Sequence, residues 1–178
     1  MRRGGMVVRV EIGRTKGDVE VLEAFCNLLE RIPERDPRTF FAFEPAVVTE
    51  IFASGETICS LAFADGEVSP IAGGFIWGPS ASDPDELKAE HEGGDVGFVP
   101  GTYLQIDNTI VDPTHRGQRL QAHIIEHLVE GATEPIVATV SPENPASLKN
   151  LLSCGFEIRK TVERHGGFKR HVIVREPS

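Results

Sequence analysis

From Thr102 onward the sequence alternates strand-like and helix-like segments, and that alternation leaves an α/β sheet as the architecture. Thr102–Val111 reads as a strand ending at Asp112-Pro113. Arg116–Glu130 follows as a helix with Leu120, Ile124, Ile125, Leu128 and Val129 on one side. Ile136–Val140 is a short apolar strand. Asn144–Cys154 is a helix closed by Gly155, and Glu157–Val162 and Phe168–Val174 form a hairpin around His165-Gly166-Gly167.

The first half is less regular. Met6–Ile12 is Val-rich and alternates, which predicts a strand. Val21, Leu22, Phe25, Leu28, Leu29 and Ile32 recur at three- and four-residue spacing, so 18–32 is an amphipathic helix stopped by Pro33. The stretch to Pro45 is expected as loop or short helix. Glu56–Ala64 and Pro70–Trp77 flank Asp65-Gly66, a hairpin signal. Between residues 79 and 97 lie Asp83, Asp85, Glu86, Glu90, Glu92 and Asp95 opposed by Lys88, which reads as a solvated loop with a short helix or as a lid. The expected order is β-α-β-β-β-α-β-α-β-β in one domain of 178 residues.

Charge and cysteine usage exclude several functions. Eighteen Lys and Arg against 27 Asp and Glu leave a net charge of −9. Without a basic stripe, that opposes binding to nucleic-acid phosphates or anionic membranes. The one basic cluster, Arg2, Arg3 and Arg9, sits at the start of the chain. Cys26, Cys59 and Cys154 are odd in number and share no ligand spacing, so neither a disulfide framework nor a zinc site is expected. The opening MRRGGMVVRVEIG is interrupted by Arg9 and Glu11, so no export signal is expected. A cytoplasmic location follows as an expectation.

Two helix starts carry the candidate chemistry. Free amides give a helix N-terminus about half a positive charge, which disfavours cations there. Yet Thr114-His115-Arg116-Gly117-Gln118-Arg119 places a histidine and two arginines at such a start. A bound anion would reverse the sign of that cost, and Gly117 lets backbone approach it closely. The second start has Asn144 placed as N-cap and Pro145 at the first helical position. Both starts follow strands, where α/β sheets gather ligands.

Val111-Asp112-Pro113-Thr114-His115-Arg116-Gly117-Gln118-Arg119-Leu120-Gln121 resembles the pyrophosphate loop V-x-P-x-x-R-G-x-G-x-G/A of the GCN5-related N-acetyltransferases (GNAT). Asn144 to Phe156, closing on Cys154-Gly155-Phe156, resembles that family's second motif. The resemblance implies the acyl-CoA N-acyltransferase fold, a mixed and mostly antiparallel sheet flanked by helices. It also implies transfer of an acetyl group from acetyl-CoA, without a metal, to a primary amine of a small molecule or peptide. A homodimer is among the assemblies it allows. The implied cofactor contacts are Ile110, Val111, Arg116, Gly117, Gln118, Arg119, Leu120, Gln121, Ala122, Asn144 and Ser147. The backbone of Ile110 or Val111 would serve the thioester oxygen.

The departures are specific. Arg119 and Gln121 replace family glycines, and the position of the family's acidic tyrosine holds Leu151, while the one tyrosine is Tyr103. Asp107 is the candidate base, ahead of Glu67 and the acidic 79–97 insert, and Cys154 is a candidate acid beside Ser153. One alternative is a non-catalytic acyl-CoA-binding module. Another is a zinc peptidase, because His123-Ile124-Ile125-Glu126-His127 matches H-x-x-E-H. At about 100° per residue, however, those three polar groups share the face opposite Leu120, Ile124 and Leu128, away from any third ligand.

Overall fold

The computed structural model describes residues 8–14, 18–33, 36, 38–40, 42–54 and 57–177. Seven strands form one sheet: β1 (Val8–Arg14), β2 (Thr57–Ala64), β3 (Ala72–Trp77), β4 (Leu104–Val111), β5 (Ile136–Val140), β6 (Glu157–Arg164) and β7 (Phe168–Arg175). Their spatial order is β1-β2-β3-β4-β5-β7-β6. Every pairing is antiparallel except β4 with β5. The α/β class with a mixed, mostly antiparallel sheet is as expected; the opening residues Met6 and Val7 of the first expected strand lie outside the described residues.

Among the described residues five α-helices accompany the sheet: α1 (Val19–Glu30), α2 (Pro45–Ser54), α3 (Asp85–Lys88), α4 (Leu120–Val129) and α5 (Pro145–Ser153). Phe25, Leu28 and Leu29 of α1 pack with Val48, Ile51 and Phe52 of α2 against Cys59, Phe75 and Trp77 on one face. Leu120, Ile124, Ile125 and Leu128 of α4 pack with Leu151 and Phe156 on the other, against Ile76, Ile106 and Ala138. Burial of such side chains is worth about 1.5–3 kcal/mol each, so the two apolar helix faces fix the layers. Asp18 caps α1, its carboxylate accepting from Val21 N at 3.3 Å, which starts the helix where the sequence pattern begins.

Two expectations need correction. The unassigned stretch after residue 44 is a full helix, α2, so the order gains an element; Pro45 starts it and Val48, Ile51 and Phe52 give its buried stripe. The helix expected from Arg116 begins only at Leu120, because Gly117 (φ 80°) and Arg119 (φ 60°) lie in the left-handed region and cannot continue a right-handed turn. A short 3-10 turn, Pro113–His115, precedes them. Asp112 caps it by accepting from the Thr114 amide at 3.0 Å and the Thr114 hydroxyl at 2.6 Å.

β4 and β5 pair only at Leu104–Ile136 and Gln105–Val137, then separate. In the same strand Asn108 has φ 49°, beside a register shift against β3. That one-residue bulge reverses the facing of β4: Ile106 packs on the α4 side and Ile110 on the α1–α2 side. The acidic 79–97 segment is only partly solvated. Leu87 enters the core, and Asp83 and Glu92 are buried.

Candidate active site

The separation of β4 from β5 opens a cleft. Ile106, Asp107, Asn108 and Thr109 line one wall, and Ala138, Thr139, Val140 and Ser141 the other. Gln121, Asn144, Ser147 and Leu151 of the α4–α5 layer reach it, as do Glu92 and, from β7 and its hairpin, Arg170 and His165. Thr39, Phe40 and Phe43 also line it. The Phe43 amide donates to Asn108 Oδ1 at 3.2 Å, Asn144 Nδ2 donates to the Thr39 carbonyl at 3.3 Å, and the Arg38 carbonyl accepts from Ser141 Oγ and, at 3.1 Å, from Arg170.

Asp107 is 8% exposed on the cleft wall. Its Oδ2 accepts from Trp77 Nε1 at 2.7 Å and from Gln105 Nε2 at 2.9 Å. Burial outweighs these donors and pushes its carboxyl up to about 6. Glu92 lies beside it. Its amide donates to Gln105 Oε1 at 2.9 Å, and its Oε1 accepts from Thr139 Oγ1. Full burial, and the proximity of Asp107, raise the Glu92 carboxyl well above the ordinary range. The His165 imidazole is held down to about 4 by burial and by the cations Arg170 and Arg164, so it is neutral at neutral pH.

Glu92 was hidden in the sequence among six acidic residues with no periodicity to mark the buried one. Its position depends on Tyr103, whose ring fits against Gly93 so closely that a Cβ there would sit 2.4 Å from the ring. Gly93 is therefore the signal that the segment is packed.

The turn before α4 comes just ahead of Gln121, which lines the cleft. Arg116, Gly117, Gln118 and Arg119 are exposed, and a Cβ on Gly117 would meet nothing within 4 Å. The N-cap residue of α4, Arg119, makes no side-chain cap hydrogen bond. Leu120 is buried in the core, and Ala122 accepts a weak bond from the Cys154 thiol at 3.7 Å. Gln121, one residue into α4, lines the cleft and donates to Ser147 Oγ at 3.0 Å. Asn144 caps α5 through Ser147 N at 3.1 Å. Ile110 and Val111 stand beyond the cleft wall, which ends at Thr109.

The structure separates other candidates from the cleft. Cys154 lines a different hollow with Glu126, His127 and Gly131, and burial raises its thiol. Ser153 lies in that hollow too, and Glu67 is exposed in the β2–β3 connection. Leu151 lines the cleft with an apolar side chain, and Tyr103 is buried outside it with its hydroxyl pushed up to about 12. His123 pairs with Glu126 at 3.3 Å on the exposed face of α4, and among the described residues no three His, Cys, Asp or Glu side chains gather as metal ligands.

No family model and no curated protein matches this chain. Solved structures do. The chain is similar to aminoglycoside acetyltransferase AAC(6')-Ib in complex with coenzyme A and kanamycin, at 20% identity and TM-score 0.61, covering 96% of this chain and 95% of that one. NAA60 of Arabidopsis thaliana in complex with acetyl-CoA matches at 16% identity and TM-score 0.67, covering 94% and 99%. An acetyltransferase of the GNAT family from Streptococcus pneumoniae matches at 13% identity and TM-score 0.65, covering 96% and 100%. By these matches and its seven-stranded mixed sheet flanked by helices, the chain has the fold of the GCN5-related N-acetyltransferases.

Proposed function

We propose that the protein is an acetyl-CoA-dependent N-acetyltransferase that acts on a primary amine of a small molecule or peptide by direct transfer. The observation that carries this reading is the closeness in sequence of the turn to the cleft wall. α4 starts directly after the open turn Arg116–Arg119, and its second residue, Gln121, lines the cleft in which Asp107 stands. Solved neighbours with this fold hold coenzyme A or acetyl-CoA.

Bound acetyl-CoA would supply an activated thioester. The turn fits its pyrophosphate: the first amides of α4 have no intrahelical partner, and Arg116 and Arg119 add charge. Leu120 and Ala122 anchor the start of α4 in the core, Gln121, Asn144 and Ser147 line the cleft, and Gln118 is exposed in the turn. The unpaired stretch of β4 leaves backbone groups for the ligand's arm, with Ile110 and Val111 next along the strand. An amine attacks only when neutral, and a base near pH 6 takes its proton at little cost in basicity. Asp107 fills that role. Cys154, outside the cleft, is no longer the favoured acid, and the leaving thiolate takes its proton from solvent.

A non-catalytic acyl-CoA-binding module shares the turn, but it gives no use to a buried carboxylate beside the cleft. The test of the cofactor site is acetyl-CoA binding by calorimetry. Replacing Arg116→Glu and Gly117→Val together should abolish binding with thermal unfolding little changed, and undiminished binding would remove the assignment. The cleft suits a reaction inside one chain, so neither nucleic acid nor a membrane is required, and the reading takes the cytoplasm as its setting.

A further inference from the structure

Glu92 and Asp107 are two buried carboxyls with unlike surroundings. Asp107 keeps two donors on one oxygen, Trp77 and Gln105. Glu92, 3% exposed, has one donor, the Thr139 hydroxyl on Oε1, and among the described residues its Oε2 has no hydrogen-bond partner although it is wholly buried. A charged carboxylate left with an unpaired buried oxygen is costly, whereas a protonated one needs only an acceptor for its O–H. The groups that face Glu92 are Asp107 from β4, Glu90 on its own segment, Tyr103, Arg164 from β6 and Arg170 from β7. Asp107 and Glu90 oppose its ionisation, Arg164 favours it, and burial exceeds them all. Such pairs, pushed apart by environment, divide acid and base roles.

We propose that Glu92, on the cleft wall, is a specificity-determining group of the acceptor site: a carboxyl whose O–H donates to an oxygen of the substrate close to the amine held at Asp107. The substrate class is then amines that carry a nearby carbonyl or hydroxyl oxygen, in preference to simple alkylamines. This rests on the amine lying at Asp107, as proposed above. No covalent bond is made or broken at Glu92, which keeps its proton throughout.

The test is binding to the acetyl-CoA-loaded protein, read by calorimetry with glycinamide (carbonyl), ethanolamine (hydroxyl) and propylamine (neither). A parallel readout is the 13C carboxyl signal of labelled glutamate, assigned by its absence in Glu92→Gln. Glutamine keeps a side-chain N–H donor at this position, so Glu92→Gln should hold glycinamide and ethanolamine within about threefold of wild type. Glu92→Leu should weaken both about tenfold, the range for one lost hydrogen bond, and propylamine should bind all three proteins alike. The Glu92 signal should show the protonated form at pH 7 and move when glycinamide is added. Loss of glycinamide binding in Glu92→Gln, equal weakening of all three probes in Glu92→Leu, or an unmoved Glu92 signal would overturn the proposal. If Glu92→Leu fails to fold, the glutamine variant and the carboxyl signal decide. Glu92-dependent binding without acetyl transfer would remove the proposed function and leave this site standing. Transfer indifferent to Glu92 would do the reverse.

Discussion

Gln121 of α4 reaches across to Thr109 of β4, where its Nε2 lies 3.2 Å from the carbonyl and 3.1 Å from the hydroxyl. The same amide touches Ser147, and its Oε1 accepts from Asn150 Nδ2 at 2.8 Å. One side chain thus ties both helices of that layer to the free side of β4. A glycine or alanine, which the motif resemblance would place there, could not.

Gln121→Ala should therefore lower stability by about 1–3 kcal/mol, the range for a few part-buried hydrogen bonds lost together. Acetyl-CoA affinity should stay within about threefold, since the turn binds through backbone amides. Chemical denaturation and calorimetry check the two halves. A large loss of affinity at unchanged stability would make the side chain itself a ligand contact.

Asp107 makes a pH-dependent prediction whose sign is fixed by the direction of its shift. Its folded carboxyl titrates near 6, above the ordinary 3.8, so its favourable contribution to stability is full below about 4 and is lost as pH rises to about 6. Asp107→Asn keeps an oxygen acceptor for Trp77 and Gln105 without the buried charge. It should be more stable than wild type at pH 7, by about 1–3 kcal/mol, with the difference shrinking at pH 4. Urea unfolding at the two pH values would show it, and equal stability throughout would mean that Asp107 titrates normally.

Gly93→Ala would drive a methyl into the Tyr103 ring. The expected cost is about 1–3 kcal/mol from overpacking, with the acidic segment and Glu92 displaced. Amide exchange in residues 90–97 should rise, and unchanged exchange would mean that the ring yields instead.

Asn144→Ala removes the cap of α5 and the bond from its Nδ2 to the Thr39 carbonyl. A loss of about 0.5–2 kcal/mol is expected for the cap. Thermal unfolding tests it, and no change would mean that α5 does not need its cap.

The sequence carried the second half of the fold because each element there keeps one period, from the Ile124 stripe of α4 to the cap at Asn144. It did not carry α2, whose Val47, Val48, Thr49 and Ile51 suit a strand as well as a helix. Nor did it carry the bulge at Asn108, which reverses the faces of β4 without changing residue type. Of the candidate site, the Gly117 turn is marked in the sequence by its cations and by the motif resemblance, and Asp107 by the resemblance alone. Arg119, at φ 60°, takes up the left-handed turn that a family glycine would otherwise make. Glu92 could not be read, because burial of one acid among six depends on the Tyr103–Gly93 contact across the insert.

The account rests on acetyl transfer at Asp107, and release of CoA thiol from acetyl-CoA, measured with and without glycinamide at pH 7.5, addresses it directly. Wild type should release thiol only with the amine present, in step with acetylated glycinamide detected by mass, and Asp107→Asn should slow this by about 100-fold or more, the range for loss of a positioned base. Acetyl-CoA binding without amine-dependent thiol release, or release at an undiminished rate in Asp107→Asn, would contradict it.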